Sequence, residues 1–113
     1  MIKVPIKPLS VNGAWKGQRY RTDEYKCYAQ HLSLLLPNKI DIPDGKLEIH
    51  FRFYFSSEGS DYDNPIKPAQ DVICKKYGIQ DNKFYRATIE KHLVKKGQER
   101  IEFKIIKLGE SYE

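Results

Sequence analysis

Cysteine is scarce, at two of 113 residues. Cys27 and Cys74 form no CxxC and have no neighbouring histidine pair, which argues against a zinc site and a disulfide framework. Both thiols are expected to be reduced and at least partly buried. Apolar runs are also short: none approaches the roughly 18 residues of a membrane-spanning helix. The opening Met1-Ile2-Lys3-Val4-Pro5 lacks the apolar stretch of a secretory signal. A cytoplasmic protein with no membrane partner is the expectation. Repeats and low-complexity segments are absent, and 113 residues with 40% hydrophobic content allow one domain over 1–113 but not two independent cores.

What is present is charge, and it is unevenly placed. Twenty Lys+Arg against fifteen Asp+Glu leave a net +5, a balance suited to a polyanionic partner but not specific to one. Lysines cluster at Lys75-Lys76, Lys95-Lys96 and Lys104 to Lys107, and Arg19 and Arg21 flank Tyr20. Each pair taken singly is explained equally well by a solvated face or turn. Against this basic background, Ser60-Asp61-Tyr62-Asp63-Asn64-Pro65-Ile66-Lys67-Pro68-Ala69-Gln70-Asp71 gathers three carboxylates and a lysine, broken by two prolines.

The order of elements is strand, helix, strand, helix, strand, strand, an α+β fold with a mostly antiparallel sheet and two helices. Ile2 to Lys7 read as a strand, and Leu9 to Arg21 as a loop. Thr22 is placed to cap a helix whose apolar face is Tyr25, Tyr28, Ala29, Leu32, Leu35 and Leu36, stopped by Pro37. Lys46 to Phe55 alternates strictly, with Leu47, Ile49, Phe51, Phe53 and Phe55 on one side. Ile66, Ala69, Val72, Ile73 and Tyr77 recur with helical spacing until Gly78, with Pro68 as the expected start of regular helix. Phe84 to Val94 and Arg100 to Lys107 predict two strands joined as a hairpin through Lys95-Lys96-Gly97-Gln98. Residues 109–113 predict a flexible tail.

If Asp61 and Asp63 lie in extended chain, their spacing points both carboxylates to one side, where they repel unless a cation neutralises them. A hard divalent ion suits such a pair, and magnesium commonly uses one or two carboxylates with waters and substrate phosphates. Most isolated Asp-x-Asp pairs are nonetheless solvated turns. The adjoining helix start favours phosphate, and Lys67 either sits beside a metal-bound phosphate or serves as counter-ion for Asp61 or Asp63. A calcium loop is refused, because its sixth position is Ile66 instead of glycine and its twelfth Val72 instead of glutamate. Asp81 joins these acids only if the chain turns back after Gly78 or the acidic turn folds over.

The pattern Asp61-x-Asp63-Asn64-x-x-Lys67-x-x-x-Asp71, followed by Asp81, resembles the RusA family of Holliday junction resolvases. Pro8-x-Ser10-x-Asn12, with Trp15, Arg19 and Tyr20 after it, resembles that family's N-terminal signature, and the segment from Lys91 to Glu102 resembles its last two strands. The likeness spans most of the chain. One departure is Gln80-Asp81 where the family often has two adjacent acids.

The resemblance implies a RusA-like fold and a homodimeric endonuclease that cuts four-way DNA junctions, branched double-stranded DNA, with Mg2+ (Mn2+ substituting). Asp61, Asp63 and Asp81 would hold the metal and, with Lys67 beside the scissile phosphate, form the catalytic set; Asn64 and Asp71 would support it. Asn12, Lys16, Arg19, Tyr20, Arg21, Lys75 and Lys76 are candidate DNA contacts, although Asn12 is read first as fixing its loop through backbone hydrogen bonds, and Trp15 as packing on the sheet before stacking on bases. His31, His50 and His92 are expected on the surface or sheet, not as ligands. The alternatives are a non-catalytic dimeric DNA-binding protein on the same fold and a small assembly protein.

Overall fold

The computed structural model describes residues 1–9, 15–16, 20–60, 62 and 64–109, with backbone alone at 15–16 and 20–21. Its architecture is α+β: a four-stranded mixed sheet carrying two helices on its apolar face. At its centre is β4 (Leu47–Phe55). The alternating residues Leu47, Ile49, Phe51, Phe53 and Phe55 are all buried, as their period of two requires of a strand with one face on the core.

Sheet order follows from how β4 fills both of its edges. On one side β6 (Arg100–Lys107) runs antiparallel to it with Phe51 opposite Phe103 and Phe53 opposite Ile101. Beyond β6 lies the short β1 (Ile2–Val4), antiparallel again. On the other side β5 (Phe84–Leu93) runs parallel to β4, Phe51 opposite Ile89. Two pairings of three are therefore antiparallel. The parallel one departs from the expected hairpin, and a helical crossover between β4 and β5 makes it possible.

The hairpin expected between the last two strands is overturned. Gly97 adopts φ +96 and Gln98 N–H donates to the Lys95 carbonyl at 3.0 Å, so the turn exists. The segment it belongs to passes over the end of β4, where Val94 N–H donates to the Phe55 carbonyl at 2.8 Å, and β5 and β6 flank β4 instead of each other. The most apolar strand is the one that gains most from the centre, buried on its core face and paired along both edges.

Two helices cover the apolar face. In α1 (Asp23–Leu35) the Thr22 hydroxyl accepts from Tyr25 N–H at 3.1 Å, and Asp23 and Glu24 occupy the first turn. Tyr25, Tyr28 and Leu32 are its buried residues, and Leu36 beyond its end is buried too. The second helix, α2 (Ile66–Tyr77), buries Ala69, Val72 and Ile73 against the sheet. In the segment read as a loop, two short strands pair, β2 (Trp15–Lys16) with β3 (Tyr20–Arg21). Strand β1 stops at Val4, where Ile6 N–H turns back to the Val4 carbonyl.

Candidate functional site

The acidic stretch connects β4 to α2, and the prolines sort themselves by hydrogen-bond supply. Pro65 is the N-cap and helix begins at Ile66, two residues before the expected Pro68. Pro68 then falls in the first turn, where a backbone N–H has no intrahelical acceptor and none is lost. The first α-type bond is Ala69 N–H to the Pro65 carbonyl at 3.3 Å.

At the other end Gly78 closes α2 in the left-handed region, φ +68. Ile79 N–H returns to the Cys74 carbonyl at 2.9 Å, which reverses the chain into a short 3-10 turn, Asp81–Lys83. That reversal places Asp81 near Cys74, in the C-terminal half of α2. The Asp81 carboxylate lies near enough to the Cys74 thiol to act on it electrostatically. Lys67, Asp71 and Cys74 are spaced i, i+4 and i+7 along one flank of the helix, and the Lys67 ammonium lies 3.4 Å from the Asp71 carboxylate.

Asp71, Cys74 and Asp81 line one cavity of about 660 Å³ between the helices, walled across from them by Tyr25, Gln30 and Ser33 of α1. The electrostatics of this flank are read by Cys74, a buried residue whose thiol is pushed up to about 12. Burial contributes most, followed by the nearby Asp81 carboxylate and then the negative charge of Asp71; Lys67 opposes them. The two carboxylates add a negative potential on this flank to the larger effect of burial. Sequence reasoning missed Cys74 as a member of the site; its position one helical turn beyond Asp71 is the signal that could have found it.

Other site expectations fare unevenly. Asp61 and Asp63, the core of the sequence motif, lie outside the described residues, as do Asn12 and Arg19. Lys16, Tyr20 and Arg21 sit on the β2–β3 pair. Asn64 is half-buried in the turn before α2. Lys75 is exposed and lines the cavity. Lys76 has a structural role, since its ammonium donates to the Ser33 and Leu36 carbonyl oxygens. It thereby supplies the cation that α1 lacks in its own last turn. His50 and His92 contact Glu48 and Glu90 on the polar face of the sheet, away from this cavity. Among the described residues no three His, Cys, Asp or Glu side chains form a group able to hold an ion, and no helix is long and apolar enough to cross a membrane.

No protein-family model matches the chain, and a search of curated proteins finds no relative.

Proposed function

We propose that this chain is a metal-dependent endonuclease of the RusA type, cutting four-way DNA junctions as a homodimer. The observation that carries the reading is the return of Asp81 to the cavity lined by Asp71, on the flank of α2 that begins with Lys67. Directly before that helix the sequence places Asp61-x-Asp63-Asn64. Asp71 and Asp81 offer carboxylate oxygens, the hard donors that Mg2+ takes. Asp81, with Asp61 and Asp63 of the sequence motif, would supply the donor set, and Asp71 would support it.

When bound, Mg2+ supplies a lowered water pKa and charge stabilisation at the non-bridging phosphate oxygens. The remaining work falls to the chain. Its carboxylates concentrate negative charge at one place, so that a cation held there converts a phosphate-repelling surface into a phosphate-binding one. The Lys67 side chain is 63% exposed in its pairing with Asp71, and exposed pairs of this kind are held weakly. Its ammonium is therefore free to turn toward a scissile phosphate and stabilise charge that develops there. Asp71, sharing the Lys67 pair, positions that ammonium. Lys75 at the cavity edge adds a phosphate contact that carries no sequence information.

A four-way junction presents two symmetry-related strands, which a two-fold dimer with one site per subunit matches. The test is a purified-protein incubation with a synthetic four-way junction, with Mg2+ or with chelator. Cutting only with metal, abolished by Asp63→Asn and by Asp81→Asn with junction binding retained, is the expected result. Retention of the junction without nicking under any metal condition would assign the chain to the non-catalytic DNA-binding class.

A further inference from the structure

The turn that carries Asp81 has two sides, and the second belongs to no function considered so far. Asp81 faces the cavity between the helices, whereas its neighbours Gln80 and Asn82 line a separate cleft of about 350 Å³ together with Gly45, Lys46, Lys83 and Tyr85. Every charged group lining this second cleft is a lysine, and the polar remainder is amide and phenol. Its aromatic wall is the Tyr85 ring, 61% exposed at the start of β5. The Lys46 ammonium lies 4.9 Å from the centre of that ring, within cation–π range, and holds one side of it.

An aromatic ring of that exposure gains from being covered, and two ammonium groups without a carboxylate among the lining residues call for an anion. One ligand chemistry answers both needs: a nucleotide unit, whose base stacks on an aromatic ring and whose phosphate takes the lysines. Lys46 and Lys83 reach the cleft from different segments, one entering β4 and the other leaving the 3-10 turn. Both are fixed to the sheet by the pairing of Leu47 with Phe84.

We infer that the Lys46–Lys83–Tyr85 cleft holds the nucleotide adjoining the phosphate cut at the acidic site, with its base against Tyr85 and its own phosphate between the two ammonium groups. The inference rests on the nuclease reading for the identity of the strand, since the turn carrying Asp81 is the wall shared between cut phosphate and cleft. It assigns Lys46, Lys83 and Tyr85 as strand-positioning residues; none of them touches the reacting atoms.

The experiment uses full-length protein in chelator, with a fluorescein-labelled four-way junction followed by anisotropy across a salt series. Tyr85→Ala should weaken binding roughly 5- to 150-fold, the range for loss of one stacked base, while Tyr85→Phe keeps it. Lys46→Ala and Lys83→Ala should each lower the slope of log affinity against log salt by about one. In Mg2+, Tyr85→Ala should blur or shift the cut position on the junction. Affinities within twofold of wild type for Tyr85→Ala, with unchanged salt slopes for both lysine variants, would overturn the inference. Thermal melting of Tyr85→Ala and Lys83→Ala guards against misfolding, to which exposed positions are tolerant. Wild-type cutting with variant-insensitive binding sinks this cleft alone. Variant-sensitive binding without cutting upholds the cleft and sinks the nuclease reading.

Discussion

The Lys76 ammonium donates to the Leu36 carbonyl oxygen at 2.9 Å, so a side chain of α2 caps the C-terminal end of α1. The adjacent Tyr77 hydroxyl donates to the Pro37 carbonyl at 2.6 Å, and the two bonds lock the helices together where their loops diverge. Charge-assisted hydrogen bonds of this kind contribute about 1.5–3 kcal/mol, and the ammonium also answers the helix dipole. Lys76→Met should therefore lower unfolding free energy by roughly 1–3 kcal/mol in urea titration. Lys75→Ala, one residue away and exposed, should leave the urea midpoint unchanged and weaken junction binding instead. If the two phenotypes exchange places, the division of labour between these lysines is wrong.

Gly78 tests the turn that returns Asp81. A Cβ there meets nothing within 4 Å, yet φ is +68, so the cost of a side chain is backbone strain alone. Gly78→Ala should destabilise by about 1–2 kcal/mol, the left-handed penalty for an L-residue, and Gly78→Asn by less. Because Asp81 follows the turn, Gly78→Ala should also reduce Mg2+-dependent cutting at temperatures well below its melting point. Full activity in that variant would show that Asp81 needs no exact placement.

Glu102 sets an acid limit to stability. It is a buried carboxylate, 3% exposed, on the polar face of the sheet. Burial pushes its pKa up, but Arg100 at 2.8 Å and the Tyr54 hydroxyl at 3.2 Å more than offset this and hold it below the ordinary value of 4.5. A depressed folded pKa stabilises above the unfolded value, and that contribution is lost as pH falls through the folded value. Glu102→Gln should destabilise by roughly 1–3 kcal/mol at pH 7. The gap to wild type should begin to close below about pH 4.5. A gap constant from neutral to strongly acid pH would contradict the assignment.

The two thiols should separate cleanly. Cys27 is exposed and Cys74 buried, and the Cys74 thiol, at about 12, stays protonated at any ordinary working pH. Since only thiolate attacks a disulfide reagent, native protein at pH 8 should titrate one thiol rapidly and the second only after unfolding. Asp81→Asn removes a negative charge beside the thiol, so it should raise the slow rate measurably.

How much was legible in the sequence depended on how local the signal was. Thr22, Pro37 and Gly78 each bound a helix through a hydrogen bond or a backbone angle within a few residues, and α1 and α2 emerged close to where these marks put them. The period of two from Leu47 to Phe55 identified β4 for the same reason. The strand neighbours did not follow, because Gly97 announces a turn without saying what lies between the strands it joins. Only the competition for the most apolar strand decides that. At the site, the helical spacing from Lys67 to Asp71 was visible, whereas Lys76 as a cap for α1 and the meeting of Lys46 with Tyr85 rest on segments about 40 residues apart. Tertiary packing alone creates them.

The late position of β6 has a cost during synthesis. Among the described residues it is the only strand touching both β1 and β4, so until residue 107 clears the ribosome exit tunnel β1 lacks the neighbour it pairs with. The aromatic edge of β4 is then also half-bare. The chain must hold that edge out of trouble while it waits, and a nascent chain arrested before Arg100 should be markedly more prone to chaperone capture and aggregation than the released protein.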